Sequence, residues 1–512
     1  MKNTDLLRYI GDVDDRYILA AHRKARKKNR LPLIMSAAAL LAIVVVGGGL
    51  GIYSLSSGAV KNSAGAEAAV VESAQEGFGN IDEGSEALAA ASDGAYNSGG
   101  ENRGNVNLLA SATLPEAIAW EDYESASANW KENQVSEETA YALSSFSYRS
   151  AAALLGAGGS ENECYCPYSL YIALSILADG AAGDTQNELL SLLGMEDIDL
   201  LREEAGKLYR VNYKDNEGGK LLPACSLWLD SVSNDGMPIT YHQDWVMNTA
   251  ASYYADVYDA DFSSPDTTDA LGSWIAEKTG GNLAPDANAL GVTEDTVMEI
   301  INTVWYKASW AEPFDAEDTA SGEFYRSDGS PSSVDFMHAC LSGGYVRGSD
   351  YTKASLYLSY GNIIFILPDE GTSVDDLLKE DRLWDCFESS DYTYTDINWS
   401  VPEFSYDSNY NLASALNALG ITSAFDENSA DFSGISDTPL YLTTAYQGTH
   451  IALDETGIEA AAYTSLGMEA ATSIGDITEP LEMNLNRPFL YLITTDDGSP
   501  LMIGVVRDPS AD

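Results

Sequence analysis

Four histidines and five cysteines are the side chains from which this chain would most readily build a catalytic or metal site. The histidines lie in unrelated contexts, without the spacing of metal ligands, at His22, His242, His338 and His450. The sequence contains no Gly-x-Ser-x-Gly nucleophile turn, no His-Glu-x-x-His motif and no phosphate-binding glycine loop. A lone histidine is more often structural than catalytic. We therefore expect no enzyme activity, no metal and no cofactor.

The cysteines are too few and too scattered for a disulfide framework, at Cys164, Cys166, Cys225, Cys340 and Cys386. Cys164 and Cys166 are two residues apart, so in a strand their side chains would share one face. A metal site would need further ligands nearby, and none follows. We expect mostly free, buried thiols.

A different chemistry is suggested by the stretch from Leu453 to Thr472. By local rules it is a short helix, because Thr456 and Glu459 stand three residues apart as in a capping box and alanines follow. The alternative is that Ile458 to Ala471 forms a loop whose small side chains let it slide between two strands and become a strand itself.

Segments in the rest of the chain favour the loop. They are, in chain order, 140–155, 162–175, 180–189, 274–281, 302–314, 364–371, 401–404, 419–421, 430–435, 487–491 and 504–509. After Leu453 the chain has an acidic pair, a glycine, a β-branched residue, a glutamate and then small side chains. Together with that stretch, these segments resemble the serpin family from Glu137 to the C-terminus. The resemblance implies an α+β fold with three β-sheets, about eight or nine helices and an exposed reactive-centre loop.

The resemblance also implies a suicide substrate for a serine protease. The protease would attack the loop and form an acyl-enzyme, and the freed loop would then insert into the main sheet as a new strand. The hinge of that loop would consist of Glu455, Gly457, Ile458, Glu459, Ala460, Ala461 and Ala462.

The reactive bond is placed by a count taken from inhibitory serpins, in which the hinge glutamate and the residue before the scissile bond bracket 17 residues. From Glu455 this count ends at Ala471, followed by Thr472, and a slip of one residue gives Ala470. These small residues suit the shallow apolar pocket of elastase-like serine proteases. Secondary candidates, for chymotrypsin-like or cathepsin-type cysteine proteases, are Met468 and Leu466.

Two departures from the family pattern leave an alternative function open. Ile458 is larger than the threonine or serine usual at the first inserting position, and Tyr463 interrupts the run of small residues. Both would slow insertion. The alternative is a non-inhibitory, serpin-fold binding or surface-structural protein whose loop is cut without trapping anything.

Four polar positions under the main sheet also differ from the usual Ser, Ser, Asn and His. We call them the shutter residues, and they are Cys166, Ser169, Asn302 and Gln447. A glutamine both donates and accepts hydrogen bonds, so the network is expected to survive in altered form. Trp310, at the end of the segment that begins at Asn302, is expected to lie at the top of the sheet, where the loop enters.

A charge reversal is expected at the same end of the sheet. Family members commonly pair the hinge glutamate with a lysine or arginine just after a proline, but here the two positions are Glu455 and Glu403. Two carboxylates within ~4–6 Å disfavour each other's ionised form, so at least one pKa should be raised.

The N-terminal part predicts a membrane anchor and a tether. Residues 1–30 hold nine of the 27 Lys and Arg, and residues 31–55 carry no charge over a length that spans a bilayer. The positive-inside rule places the N-terminus in the cytoplasm and the rest outside the cell, although a cleaved signal peptide is the competing interpretation. Residues 56–136 are predicted to form a flexible, acidic Gly/Ser/Ala-rich linker, and residues 137–512 the serpin domain.

After residue 30 the chain carries 18 bases against 75 acids, a formal charge of −57. A surface this acidic repels polyanions, so we expect no nucleic-acid partner. We interpret the chain as a bacterial, membrane-anchored serpin that acts as a monomer.

Overall fold

The computed structural model describes residues 106–156, 159–232, 236–283, 292–294, 296–442, 445–459 and 479–511. The predicted cytoplasmic segment, membrane anchor and first part of the linker lie outside the described residues, as does the loop over 460–478. Within the described part, no helix is both long and apolar enough to cross a membrane.

The described residues form seventeen strands. They are β1 (Asn107–Ala110), β2 (Glu163–Tyr165), β3 (Lys214–Asn216), β4 (Gly219–Asp230), β5 (Ala255–Ala260), β6 (Met298–Ser309), β7 (Ala320–Tyr325), β8 (Pro331–Arg347), β9 (Tyr351–Tyr357), β10 (Asn362–Pro368), β11 (Thr393–Pro402), β12 (Phe404–Asn411), β13 (Tyr446–Asp454), β14 (Gly457–Ile458), β15 (Leu481–Asn484), β16 (Phe489–Thr494) and β17 (Pro500–Val506).

Ten α-helices accompany them in the described residues. They are α1 (Tyr123–Asn133), α2 (Glu137–Leu155), α3 (Pro167–Gly180), α4 (Gly183–Leu193), α5 (Ile198–Asn212), α6 (Gln243–Tyr253), α7 (Pro265–Lys278), α8 (Val374–Leu377), α9 (Glu380–Glu388) and α10 (Ala413–Ala418). The α+β prediction is confirmed, and the helix count exceeds the expected eight or nine because α1 falls inside the predicted linker.

An eight-stranded sheet carries the hinge. Its order is β1-β5-β4-β6-β14-β13-β12, and β3 pairs with β4. The two strands that flank β14 run parallel to each other, and β14 is antiparallel to both. We call this the main sheet.

The second sheet has nine strands in the described residues, in the order β15-β11-β8-β9-β10-β16-β17-β2, with β7 on β8. Its 17-residue strand β8 pairs with β11 up to Tyr345 and continues with β9 from Tyr345 to Arg347. The structure therefore shows two sheets where three were expected, because β8 runs unbroken from one ladder into the next.

The core lies between the two sheets and is threaded by α3. This helix begins with Pro167 at its first turn, where the missing N–H of proline costs nothing, and it is buried on nearly all sides. A second, smaller cluster lies on the opposite face of the main sheet, where Trp274 and Ile275 of α7 pack against Trp228 and Ile301. Helix α7 thus covers the outer face of β4 and β6.

Residues 106–135 form what we call the N-terminal arm, which corrects the predicted linker boundary. Strand β1 extends the main sheet by pairing antiparallel with β5, and the pairing includes Asn107 with Asp259. Further along the arm, the Trp120 ring packs edge-on against Tyr360 with centroids 5.2 Å apart, and a Cβ at Gly218 would lie 2.1 Å from it.

Helix α1 fastens the rest of the arm to α5. The Asn129 side chain donates to the carbonyl of Arg210 at 3.1 Å, and the Ser136 N–H donates to Glu204 at 2.7 Å. Residues 106–136 therefore belong to the folded domain. Their composition resembles a tether, but contacts with residues about a hundred positions away hold them in place.

Candidate functional site

The hinge begins with a tight turn at the end of β13. Oδ1 of Asp454 accepts hydrogen bonds from the N–H of Thr456 at 2.7 Å, from its hydroxyl at 2.6 Å and from the N–H of Gly457 at 3.2 Å. Gly457 has φ of 145°, and a Cβ there would lie 2.2 Å from the carbonyl oxygen of Ala308. Thr456 therefore completes a turn, and the capping-box helix is wrong for the described part of the segment.

The turn sends two hinge residues into the main sheet. Gly457 and Ile458 form β14 between β13 and β6, with Ile458 opposite Leu453 on one side and Ala308 on the other. The Ile458 side chain is 2% exposed. The large residue at the first inserting position therefore already lies in the core.

Glu459 follows at the point where the described chain leaves the sheet. Its N–H donates to the carbonyl of Ala452 at 2.9 Å, and its carboxylate accepts a hydrogen bond from Asn282 at 2.6 Å. Burial raises the pKa of Glu459 to about 7, and the nearby His450 and Trp305 oppose that shift.

Trp310 holds the turn from the other side. Its indole N–H donates to the carbonyl of Asp454 at 2.8 Å, and its backbone N–H donates to the carbonyl of Thr456 at 3.1 Å. Phe314 packs edge-on against the indole, and its N–H donates to the carbonyl of Glu455 at 3.2 Å. The segment that follows β6 thus donates a hydrogen bond to each carbonyl of the turn from 454 to 456.

The two glutamates predicted to meet at the top of the sheet do so. Glu403 and Glu455 share a side-chain hydrogen bond, and Glu455 also accepts one from the Thr319 hydroxyl at 2.7 Å. Partial burial and the neighbouring Glu455 raise the pKa of Glu403 to about 7. The hydrogen bond from Thr319 holds the pKa of Glu455 below its usual value. The predicted rise in pKa therefore occurs at Glu403 and not at Glu455.

The structure also brings the four shutter residues together, at the lower end of the same gap. The Gln447 amide accepts from the N–H of Cys166 and donates to its carbonyl, both at 2.9 Å, and donates to Asn302 Oδ1 at 3.2 Å. Ser169 donates to the same oxygen. Gln447 and Asn302 are also register partners where β13 and β6 pair directly. The glutamine thus ties α3 to both strands.

Replacing Gln447 with alanine is expected to lower the stability of the uncleaved chain. The buried N–H and carbonyl of Cys166 would lose their partner, at a cost of about 2 kcal/mol. For a domain of this size that lowers the melting temperature by about 2 °C. Asn398→Ala, which removes a surface hydrogen bond to Glu482, is the matched control and should change it by less than about 1 °C. Equal effects of the two variants would contradict the bridging role of Gln447.

The cysteines take no part in a disulfide. All five are free, four of them buried, and Cys340 is exposed, contrary to the expectation for it. Burial raises the pKa of the Cys164 thiol to about 11 and that of Cys166 to about 12. Cys164 donates to the Thr449 hydroxyl at 3.1 Å, so it packs against β13 as a protonated thiol.

Nine positions singled out in the sequence lie outside the described residues. They are Ala460, Ala461, Ala462, Tyr463, Leu466, Met468, Ala470, Ala471 and Thr472. Two contacts of the hinge that the structure shows were not predicted, those of Asn282 and Thr319. Neither has a local signal in the sequence, because each reaches the hinge from more than 130 positions away.

Fold and site together define a class of protein: a domain whose described residues form two sheets, with the hinge residues Gly457 and Ile458 inserted between two parallel strands of the main sheet. The family model for serpins, the serine protease inhibitors, matches residues 141–509. The chain belongs to the serpin family.

Individual relatives agree with this assignment. Mouse alpha-1-antitrypsin 1-4 is 26% identical over 417 residues, covering 78% of this chain and 95% of the relative. Rabbit corticosteroid-binding globulin is 28% identical over 374 residues, covering 70% and 92%. Among solved structures, the thermophilic serpin tengpin in its native state matches with a TM-score of 0.66 and 24% identity, covering 79% of this chain and all of tengpin. This last likeness concerns the fold.

Proposed function

We propose that this serpin is a suicide-substrate inhibitor of elastase-like serine proteases. The observation that carries the proposal is the state of the gap between β6 and β13. The two strands pair directly at Ile301 with Tyr446 and at Asn302 with Gln447, and β14 lies between them at the upper end. Between these points the described residues show no backbone pairing across the gap. An antiparallel strand that continues β14 would fill this gap, and a longer one would also replace the direct pairing of Ile301 with Tyr446 and of Asn302 with Gln447.

The energy of that completion would drive the trap. Each new backbone hydrogen bond contributes about 0.5–1.5 kcal/mol, so a strand of roughly a dozen residues with its buried side chains sums to more than ~10 kcal/mol. If the protease is still attached as an acyl-enzyme, insertion drags it along and distorts its active site. A displacement of ~1 Å there can cost about 100-fold in rate.

The proposed target follows from the loop sequence. The count taken from inhibitory serpins, started at Glu455, predicts the reactive bond at Ala471–Thr472, with Ala470 as the slip alternative. No Lys or Arg occurs from 455 to 478, so trypsin-like proteases find no residue for their pocket. Small residues at the reactive bond suit an elastase-like pocket.

The test is to mix the chain with an elastase and run a denaturing gel. We expect a covalent complex, with cleavage after Ala471 or Ala470 identified by mass spectrometry of the released peptide. Elastase whose catalytic serine is replaced by alanine is the control, and it should give no complex. Cleavage that leaves fully active elastase would overturn the inhibitor proposal.

That outcome would favour the second candidate, a non-inhibitory binding or surface-structural protein. Two observations support it: Ile458 is already buried, so part of the hinge has no further insertion to gain, and one relative is named a corticosteroid-binding globulin. The same gel decides between the candidates.

We further propose that residues 31–55 anchor the protein in the cell membrane with the inhibitor domain outside. Protease added to intact cells should release the domain by cutting within 56–105, because residues from 106 onward are folded. Residues 1–30 should stay protected inside the cell. Recovery from the medium of a mature chain that begins near Val60 would support a cleaved signal peptide instead.

A further inference from the structure

Glu459 has a backbone conformation that strand insertion must undo. Its φ is 47°, and among the described non-glycine residues only Tyr254 also has a positive φ. A residue in an antiparallel strand has φ near −140°. Before Ala460 can follow Ile458 into the sheet, Glu459 must rotate into the extended region, and its side chain must move with it.

Contacts of the Glu459 side chain oppose that movement. Its Oε2 accepts the hydrogen bond from the Asn282 amide at 2.6 Å, and its Oε1 lies 4.0 Å from Nε2 of His450 on β13. The Glu459 side chain is 13% exposed. The carboxylate is therefore hydrogen-bonded to Asn282 and largely buried.

Asn282 belongs to a segment that lies on the outer face of β6. The segment follows α7 and is fixed by Thr279, whose N–H donates to the Ile275 carbonyl at 3.0 Å and whose hydroxyl accepts from the N–H of Leu283 at 3.2 Å. A Cβ at Gly280 would lie 2.6 Å from the Trp305 ring of β6. The segment is thus packed directly against one of the two strands between which the loop would enter.

We propose that Glu459 and Asn282 form a latch, a pair of positioning residues that holds the hinge at its first inserted strand and limits the rate at which the rest of the loop enters the main sheet. The inference rests on the proposed insertion mechanism. Glu459 is the residue that must enter the sheet next. The latch binds it to the segment that contains Asn282 and covers its path. Slow entry gives the protease more time to hydrolyse the acyl bond and escape, so the latch also sets the fraction of protease that is trapped.

The test is the rate at which the uncleaved full chain converts, at a fixed temperature below its melting point, to the form with the loop inserted. That form is recognised by its higher melting temperature. Asn282→Ala and Glu459→Ala should each convert about tenfold faster than the parent, as expected for the loss of one side-chain hydrogen bond. The double variant should convert no faster than the faster single variant, because both remove the same contact.

Two comparisons separate a latch from a general loss of stability. Asn282→Asp keeps the size of the side chain but places a carboxylate opposite Glu459, so it should also convert faster. Asn398→Ala, at a surface hydrogen bond remote from the hinge, should convert at the parental rate. The melting temperature of each uncleaved latch variant should stay close to that of the parent.

An unchanged conversion rate in Asn282→Ala, or additive effects in the double variant, would overturn the latch. Because conversion is measured without a protease, the outcome does not depend on whether elastase is trapped. If elastase is trapped by the parent, the trapped fraction should rise in Asn282→Ala, and a fall would contradict the proposed rate limit.

Discussion

Replacing Ala460 with arginine is expected to stop the chain from trapping elastase while leaving the loop open to cleavage. Side chains alternate between the two faces of a strand, and Ile458 faces the core with 2% exposure. In the inserted strand, residue 460 would therefore face the core as well. Burying an unpaired guanidinium there costs several kcal/mol, which slows insertion enough for the acyl-enzyme to hydrolyse first. The covalent complex on a denaturing gel should fall to less than about a tenth of the parental amount.

The neighbouring position supplies the matched control. Residue 461 would point to the outer face of the sheet, away from the core, so Ala461→Arg should retain more of the trapping than Ala460→Arg. The cleavage rate should be similar in the two variants, since both positions lie about ten residues before the reactive bond. Equal trapping by Ala460→Arg and the parent would show that the loop does not insert with residue 460 facing the core.

Glu403→Lys is expected to raise the melting temperature of the uncleaved chain by about 2–4 °C at neutral pH and to slow its spontaneous conversion about tenfold. The variant replaces a pair of carboxylates at the top of the main sheet with an ion pair to Glu455. The gain is modest because the site is only partly buried and solvent screens the charges. Differential scanning calorimetry measures the first effect and timed loss of inhibitory activity the second.

The raised pKa of Glu403 determines the direction in which the stability of the folded chain changes with pH. The pKa of Glu403 in the folded chain, about 7, lies above its ordinary value of 4.5. Its contribution to stability is therefore complete below about pH 4.5 and is lost as the pH rises through about 7. The lowered pKa of Glu455 acts in the opposite sense, but its shift is the smaller one.

The parent should consequently melt at a lower temperature at pH 8 than at pH 5.5, and Glu403→Gln, which removes one charge without adding a base, should reduce that difference. If Glu403→Lys melts at the same temperature as the parent or lower, the two carboxylates do not control the top of the sheet.

Local signals in the sequence located much of the domain. Pro167 marks the start of α3, and Ser136, followed by two glutamates, marks the start of α2, since both are helix-capping patterns that act within one turn. The shutter residues were predicted from the resemblance to the serpin family, and the structure joins them through hydrogen bonds of Gln447 and Asn302.

Features that depend on distant contacts, and that neither a local signal nor the family pattern marks, could not be predicted. Residues 106–135 look like a tether by composition, yet Trp120 finds its place against Tyr360, 240 positions away. Thr456 and Glu459 have helix-capping spacing, but their side chains bond to Asp454 and Asn282 instead. The phase of the inserted strand also needed the structure, because the run of alanines is the same size on both faces.

The central claim is that the loop enters the gap between β6 and β13, and the melting temperature before and after a single cut in the loop tests it most directly. An uncleaved sample, a sample cut within 460–478 and a control cut only within 56–105 would be compared by differential scanning calorimetry. A new strand worth more than ~10 kcal/mol should raise the melting temperature of the loop-cut chain by at least about 10 °C, while the control cut leaves it unchanged. A loop-cut chain that melts at or below the temperature of the uncleaved chain would contradict insertion.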